Sequence, residues 1–358
     1  VTRSARYRLA LLLGVTTAVS AGWFAWASDS PAPPRSVFVS CHGDDRNAGS
    51  AAAPLRTPDA ALASGATVAL ERGCSWNGSL SLRGEGNSLT AYGVGPAPVV
   101  TGGPVRLLGA HQLVRDLHVT TGPEAGIEVH GPDATVRDVQ IDRVGIGVLV
   151  TGRAATVTRA DVRDLHMVVD TPGGDDDYGA VGFNVQAADA EISGSSCVNC
   201  RAPSHDYGFD GGFAEIWNHG DRLSLHDNVV RNSDGILEVG GDRPDASARG
   251  VSVRDNRFDV AHGGFVLHAV GDRYGMATPS LVVSGNTIVN TSAADGPVLS
   301  GQIRSVRFDG NRVSTPGLVS ASGPPASHTC NVYDLGGTGS VGFPLDPTER
   351  TTAGAAPC

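Results

Sequence analysis

Glu215 and Glu238 each stand between apolar residues, in Ala214-Glu-Ile216 and Leu237-Glu-Val239. In a strand the flanking residues face one side and the central one the other, so both glutamates are expected to point outward from short buried strands. If these strands are neighbours, the two carboxyls lie about 4.8 Å apart, and like charges that close force one group to keep its proton. One protonated and one ionised acid is what glycoside hydrolysis needs, and a gap of roughly 5 Å fits the retaining geometry. Asp210 offers a third carboxyl, and a wider pairing of Asp210 with Glu238 would suit inversion. The competing expectation is that the glutamates pair with arginines such as Arg243, or hold calcium together with Asp177 and Asp206.

Other residues around this pair could contact a substrate. Two segments repeat a local text, Asp177-Tyr-Gly179 before Asn184 and Asp206-Tyr-Gly208 before Glu215. Stacked, they would set Tyr178 and Tyr207 on one rim, with Trp217, Phe209 and Tyr274 nearby. Sugar rings offer apolar faces to such side chains. Phe183 and Phe213 are expected in the core instead. Asn184, His205, His219 and His268 supply hydrogen-bonding groups. Asp175-Asp176-Asp177 invites a calcium ion, but three consecutive acids cannot all face one cation, so at most Asp177 of the three would ligate.

The elements that must hold these groups are short Val/Ile/Leu alternations recurring throughout a Gly- and Pro-rich chain, with almost no helical periodicity. Aligning a polar turn position gives Asp116, Asp138, Asp161, Ser196, Asn228, Asn256, Asn286 and Asn311, at intervals of 22, 23, 35, 32, 28, 30 and 25 residues. A constant coil of about 22 residues with variable insertions follows, and Asn at successive coils reads as a ladder of stacked side-chain amides. The strand before each ladder position would line up Glu128, Leu149, Asn184, Glu215, Glu238 and Leu267 on one outer face. Long insertions at 166–182, 199–212, 240–249 and 269–280 would wall that face.

The opening Val37-Phe-Val-Ser with Gly43-Asp-Asp45, then Leu55-Arg-Thr57, Ala66-Thr-Val-Ala-Leu-Glu-Arg-Gly73, Gly78-Ser-Leu80 and Ala91-Tyr-Gly93, resembles the N-terminal portion of secreted bacterial proteins of the pectate-lyase-like superfamily. With the ladder, the resemblance covers most of residues 37–325. It implies an all-β, single-stranded right-handed parallel β-helix (solenoid) with a short N-terminal cap helix, for which Thr57 and Pro58 make a fitting start. The superfamily hosts lyases, hydrolases, epimerases and saccharide binders. The chain has no lysine to act as a lyase base and lacks the Trp-Ile-Asp-His and Arg-Ile-Lys elements of familiar members. A hydrolase acting on a polysaccharide or oligosaccharide is therefore the leading expectation. A polysaccharide lyase or uronate epimerase comes next, then a non-catalytic saccharide-binding surface protein.

A formal charge of −10 with no clustered basic residues argues against nucleic acid and anionic membranes as partners, and weakens the case for polyanionic substrates unless a cation intervenes. The cationic start and the apolar run to Ala27 read as an export signal (1–27), or as an uncleaved anchor spanning roughly 30 Å, the sole route to a membrane. A Pro-rich linker (28–36) and a C-terminal capping tail (326–358) bracket the coil. Six cysteines suit an extracellular, oxidising setting, and three local bridges, Cys41 with Cys74, Cys197 with Cys200 and Cys330 with Cys358, are the economical pairing. Cys197-Val-Asn-Cys200 as a redox pair or half a zinc site lacks the companion motifs those need.

Overall fold

A computed structural model describes residues 36–62, 67–268, 279–291, 296–351 and 358. The expected export signal, most of the linker, Tyr274 and most of the insertion at 269–280 lie outside these residues. The described chain winds into a parallel β-helix, because each coil contributes short strands whose apolar positions turn inward and whose backbone groups pair with the coils on either side.

The sheet that carries the candidate site has nine parallel strands: β1 (Leu80–Leu82), β2 (Val105–Leu107), β3 (Ala125–Val129), β4 (Ile146–Val150), β5 (Val181–Val185), β6 (Gly212–Trp217), β7 (Leu237–Gly240), β8 (Phe265–Leu267) and β9 (Leu299–Gly301), stacked in chain order. Two further columns complete each coil. One runs from Ser36–Val39 to Ser327–Thr329, the other from Ser75–Asn77 to Val332–Leu335. The long strands Thr135–Asp142 and Thr156–Arg163 belong to both. Both columns thus continue one rung past 325, where a capping tail was expected to begin. Helix α1 (Pro58–Leu62) is a single short turn that buries Ala61 and Leu62 in the core.

Between the two columns the chain bends through one residue of positive φ, followed by one that points inward. The bend residues include Asp116 (φ 61), Asp138 (φ 54), Asp227 (φ 57), Asp255 (φ 56), Gly285 (φ 66) and Gly310 (φ 66), types that tolerate the left-handed region. The inward residues that follow are Leu117, Val139, Asn228, Asn256, Asn286 and Asn311. This corrects the expected ladder in its early coils. Asp116 and Asp138 are the bend residues, and Asp161 and Ser196 each lie one position beyond the inward Ala160 and Ser195.

The amide ladder itself runs with one polarity. The backbone N–H of Ser195 donates to Oδ1 of Asn228, and each Nδ2 then donates to the Oδ1 of the next asparagine through Asn256, Asn286, Asn311 and Asn331, at 2.9, 2.9, 3.0 and 3.2 Å. Asn331 donates in turn to the fully buried carboxyl of Glu349 at 2.6 Å, which also accepts from the hydroxyl of Tyr333.

All three expected disulfides form, with Cα separations of 5.6 Å (Cys41–Cys74), 6.0 Å (Cys197–Cys200) and 5.6 Å (Cys330–Cys358). Phe183 and Phe213 are fully buried, their rings in edge contact at 5.4 Å, and Phe258 and Phe265 extend the aromatic stack.

Candidate functional site

The outward positions of the nine-stranded sheet form one row. Pairing of β2 to β9 aligns Arg106, Glu128, Leu149, Asn184, Glu215, Glu238, Val266 and Ser300. Glu215 and Glu238 are therefore direct neighbours on adjacent strands, flanked by Asn184 below and Val266 above. Leu267, expected in this row, faces the core, because Phe265-Val-Leu267 is apolar throughout and its parity is set by pairing with Leu237-Glu-Val239. Lower down, Glu128 is held by Arg106 and His130, each at 2.9 Å.

Two of the insertions form β-hairpins beside this row. In the first, Met167–Val169 pairs with Tyr178–Gly179, and in the second, Ala202–Ser204 pairs with Gly208–Asp210. They are tied together through Asp177. One of its oxygens accepts the N–H of Thr171 (2.6 Å), the other the hydroxyl of Ser204 (2.6 Å) and the N–H of Asp206 (3.0 Å). Asp170 takes both the backbone N–H and Nδ1 of His205, and the Tyr207 hydroxyl donates to Asp175 at 2.6 Å. Asp210 closes the second hairpin opposite Ala202, directly before β6. Gly211 follows at φ 121, and a Cβ there would meet the carbonyl oxygen of Ala180 at 2.6 Å, so only glycine lets the hairpin base come this close to the preceding coil.

Burial pushes the carboxyl of Glu215 up to about 8, and the charges of Glu238 and Asp210 add to the effect against the opposing hydrogen bond from Asn184. Burial likewise raises Asp210 to about 7, against the N–H of Gly211, with the charges of Glu238, Asp234 and Asp177 contributing. Glu215 therefore retains a proton at neutral pH. On the hairpins the balance is reversed. Burial disfavours the Asp177 charge, but the Ser204 hydroxyl and the N–H groups of Asp206, Thr171 and His205 outweigh it and hold the carboxyl at about 2. The hydrogen bond and charge of Asp170 raise His205.

Ligand atoms of Asp176, Asp177 and Asp206, and those of Asp170, Asp177 and His205, lie within 4.8 Å of one another. Both oxygens of Asp177 accept hydrogen bonds that join the hairpins, so the cluster serves as a knot between two loops.

The structure thus brings Glu215, Glu238, Asp210 and Asn184 together. His268 joins them, its Nε2 2.7 Å from Oε1 of Glu238. Asn184 is buried, its Nδ2 donating to Oε2 of Glu215 at 2.5 Å and its Oδ1 accepting from Nε2 of Gln186 at 2.9 Å. Trp217 lies two residues beyond Glu215 on the same face, opposite Gly240. Tyr178, Tyr207 and Phe209 are 50%, 48% and 47% exposed on the hairpins, and the Arg201 guanidinium covers one face of the Phe209 ring at 3.9 Å. His219 sits farther along, 3.8 Å from Asp245. Neither of two surface depressions includes the glutamate pair; one is lined by Arg143, Asp164 and His166, the other by His130, Thr151, Arg153, Gln186, His219 and Asp221. The two glutamates lie half-buried on the outer face of the nine-stranded sheet. Gln186, Asp170 and Asp234 were not foreseen. Gln186 was findable, since it follows Asn184 by two positions and so shares its face.

The architecture is a right-handed parallel β-helix. No protein-family model matches the chain, and no curated protein matches it in sequence. Among solved structures it is similar to the alginate lyase from Paenibacillus sp. str. FPU-7 (TM-score 0.52, 13% identity, 78% of this chain and 93% of that one). It is also similar to the pectate lyase Pel9A (0.53, 15%, 89% and 80%). A third is a double mutant of the tailspike protein of E. coli bacteriophage HK620 in complex with a pentasaccharide (0.56, 12%, 87% and 66%). Identities this low establish the fold alone.

Proposed function

We propose that this protein is an extracellular glycoside hydrolase acting on a polysaccharide, with Glu215 as general acid and Glu238 as its carboxylate partner. The observation that carries the reading is the direct pairing of Glu215 with Glu238, which sets two outward carboxyls one strand spacing apart, and desolvation that pushes the half-buried Glu215 up to about 8 supports it. A spacing of about 4.8 Å between strands favours retention, in which Glu238 attacks the anomeric carbon while Glu215 protonates the leaving oxygen. His268 orients Glu238, and Asp210 contributes negative charge that helps keep Glu215 protonated. The exposed rings of Tyr178, Tyr207 and Phe209 suit stacking against sugar faces.

The three solved structures named above come from two polysaccharide lyases and a tailspike bound to a pentasaccharide, which supports a saccharide partner. Three disulfides support an oxidising location. The hairpins, residues 167–179 and 202–210, carry six aspartates, one histidine and no arginine or lysine. Such walls favour neutral or weakly charged polymers over polyuronates.

The test is product analysis over a panel of neutral and uronate polysaccharides, with and without chelator. Reducing ends without ultraviolet-absorbing unsaturation, lost in both Glu215→Gln and Glu238→Gln, are expected. Unsaturated products would make the protein a lyase, and saccharide binding that survives both substitutions without cleavage would make it a binder.

A further inference from the structure

We infer that Gln186 is a positioning residue that decides which oxygen of Glu215 carries the proton. This rests on reading Glu215 as the proton donor, and it adds a residue and a polarity to that reading.

A protonated carboxyl beside a primary amide can be held in two ways. The amide N–H can donate to one carboxyl oxygen, leaving the proton on the other, or the amide oxygen can accept the carboxyl's own proton. The two arrangements have the same shape but opposite consequences. In the first the proton is free for a substrate, in the second it is sequestered. Which one forms depends on what the far end of the amide meets.

At Asn184 the far end meets Gln186. Nε2 of Gln186 donates to Oδ1 of Asn184, which turns Nδ2 toward Oε2 of Glu215. Oε2 is therefore an acceptor, and the proton of Glu215 resides on Oε1. Asn184 and Glu238 flank Glu215 on opposite sides of the row. Asn184 is buried, which leaves solvent little scope to take over the role of Gln186. Gln186 lies at the edge of the depression that also contains His130 and Arg153. The charged and titratable groups facing Glu215 are Glu238, itself against His268, and Asp210.

Gln186→Glu tests the polarity. It is close to isosteric, but an ionised carboxylate only accepts. Asn184 must then turn Nδ2 to residue 186 and Oδ1 to Glu215, which locks the proton in place. Gln186→Leu frees the amide without adding charge. Turnover is expected to fall about tenfold or more in Gln186→Glu with little change in KM. The alkaline limb of the kcat profile should move up by about one pH unit. Gln186→Leu should show a smaller loss. A purely packing role predicts that Gln186→Leu damages thermal stability while its alkaline limb stays in place, whereas the relay moves that limb up without any added charge.

A second measurement needs no substrate. The titration of Glu215, followed by carboxyl carbon NMR or by the infrared carbonyl band absent from Glu215→Gln, should shift upward in Gln186→Leu, which adds no charge, and further in Gln186→Glu. An unchanged midpoint and band in Gln186→Leu overturn the relay whatever the protein cleaves. A shifted midpoint in a protein that cleaves nothing sinks the hydrolase and leaves the relay standing.

Discussion

His268 Nε2 and Glu238 Oε1 lie 2.7 Å apart, so the second carboxyl of the candidate pair has an imidazole on the side opposite Glu215. Glu238 is thus flanked by a carboxyl on one side and an imidazole on the other. Replacing His268 with glutamine removes the imidazole and keeps a hydrogen-bonding group of similar reach. Turnover is expected to drop about 10- to 100-fold with the melting temperature nearly unchanged, as read from kcat beside a thermal melt.

Glu215 makes the protein's stability fall as pH rises. Its folded carboxyl titrates at about 8, against the ordinary value of 4.5. Below 4.5 both folded and unfolded states hold the proton, and nothing is lost. Between 4.5 and 8 the unfolded chain releases it while the folded chain keeps it, so folding is increasingly disfavoured, by an amount on the order of a few kcal/mol above pH 8. Glu215→Gln removes this penalty and still presents an oxygen to Asn184. Its Tm should exceed that of the unsubstituted protein at pH 8 to 9, with the gap closing by pH 5. Equal gaps across that range would show that Glu215 is not raised.

The Asp177 knot behaves in the opposite sense. Its carboxyl is held at about 2, below the ordinary 3.8, so its stabilising contribution is complete above 3.8 and is lost as pH falls through 2. Asp177→Ala should loosen the two hairpins without unwinding the coil. Chymotrypsin is then expected to cut at Tyr178, Tyr207 or Phe209 several-fold faster, while far-ultraviolet circular dichroism stays the same.

In the middle of the ladder, Asn256 accepts from Asn228 and donates to both the carbonyl of Leu225 and the amide of Asn286. Asn256→Leu would leave these buried groups without their partners, at a cost of about 1–3 kcal/mol for each group that stays unsatisfied. A fall in Tm of several degrees is expected, at roughly 2 °C per kcal/mol for a chain this size. The same residue type is at home at Leu117, where the next inward residue is Val139 and the stack is apolar.

Coil architecture was legible because apolar alternation and a recurring turn survive variable insertions. The offset in the early ladder had a physical cause. Asp116 occupies the positive-φ bend, as Asp227 does, and in both coils the inward residue comes next, Leu117 in one and Asn228 in the other. Alignment on a polar residue followed the bend in the first case and the interior in the second. Glu215 and Glu238 were legible since a charge between two apolar neighbours has one parity, whereas Phe265-Val-Leu267 has two and only pairing decides. The hairpin contacts of Asp177 with Ser204 and of Asp170 with His205 join insertions some 30 residues apart, and no local pattern announces them.

Glu349 gives the amide stack a terminus. Every asparagine from Asn228 to Asn311 passes a donor onward to a further asparagine, but the last recipient is a carboxyl that takes Asn331 on one oxygen and His328 on the other. Among the described residues the stack therefore ends on a carboxylate buried under the last coil, which swaps a donor-and-acceptor side chain for one that only accepts.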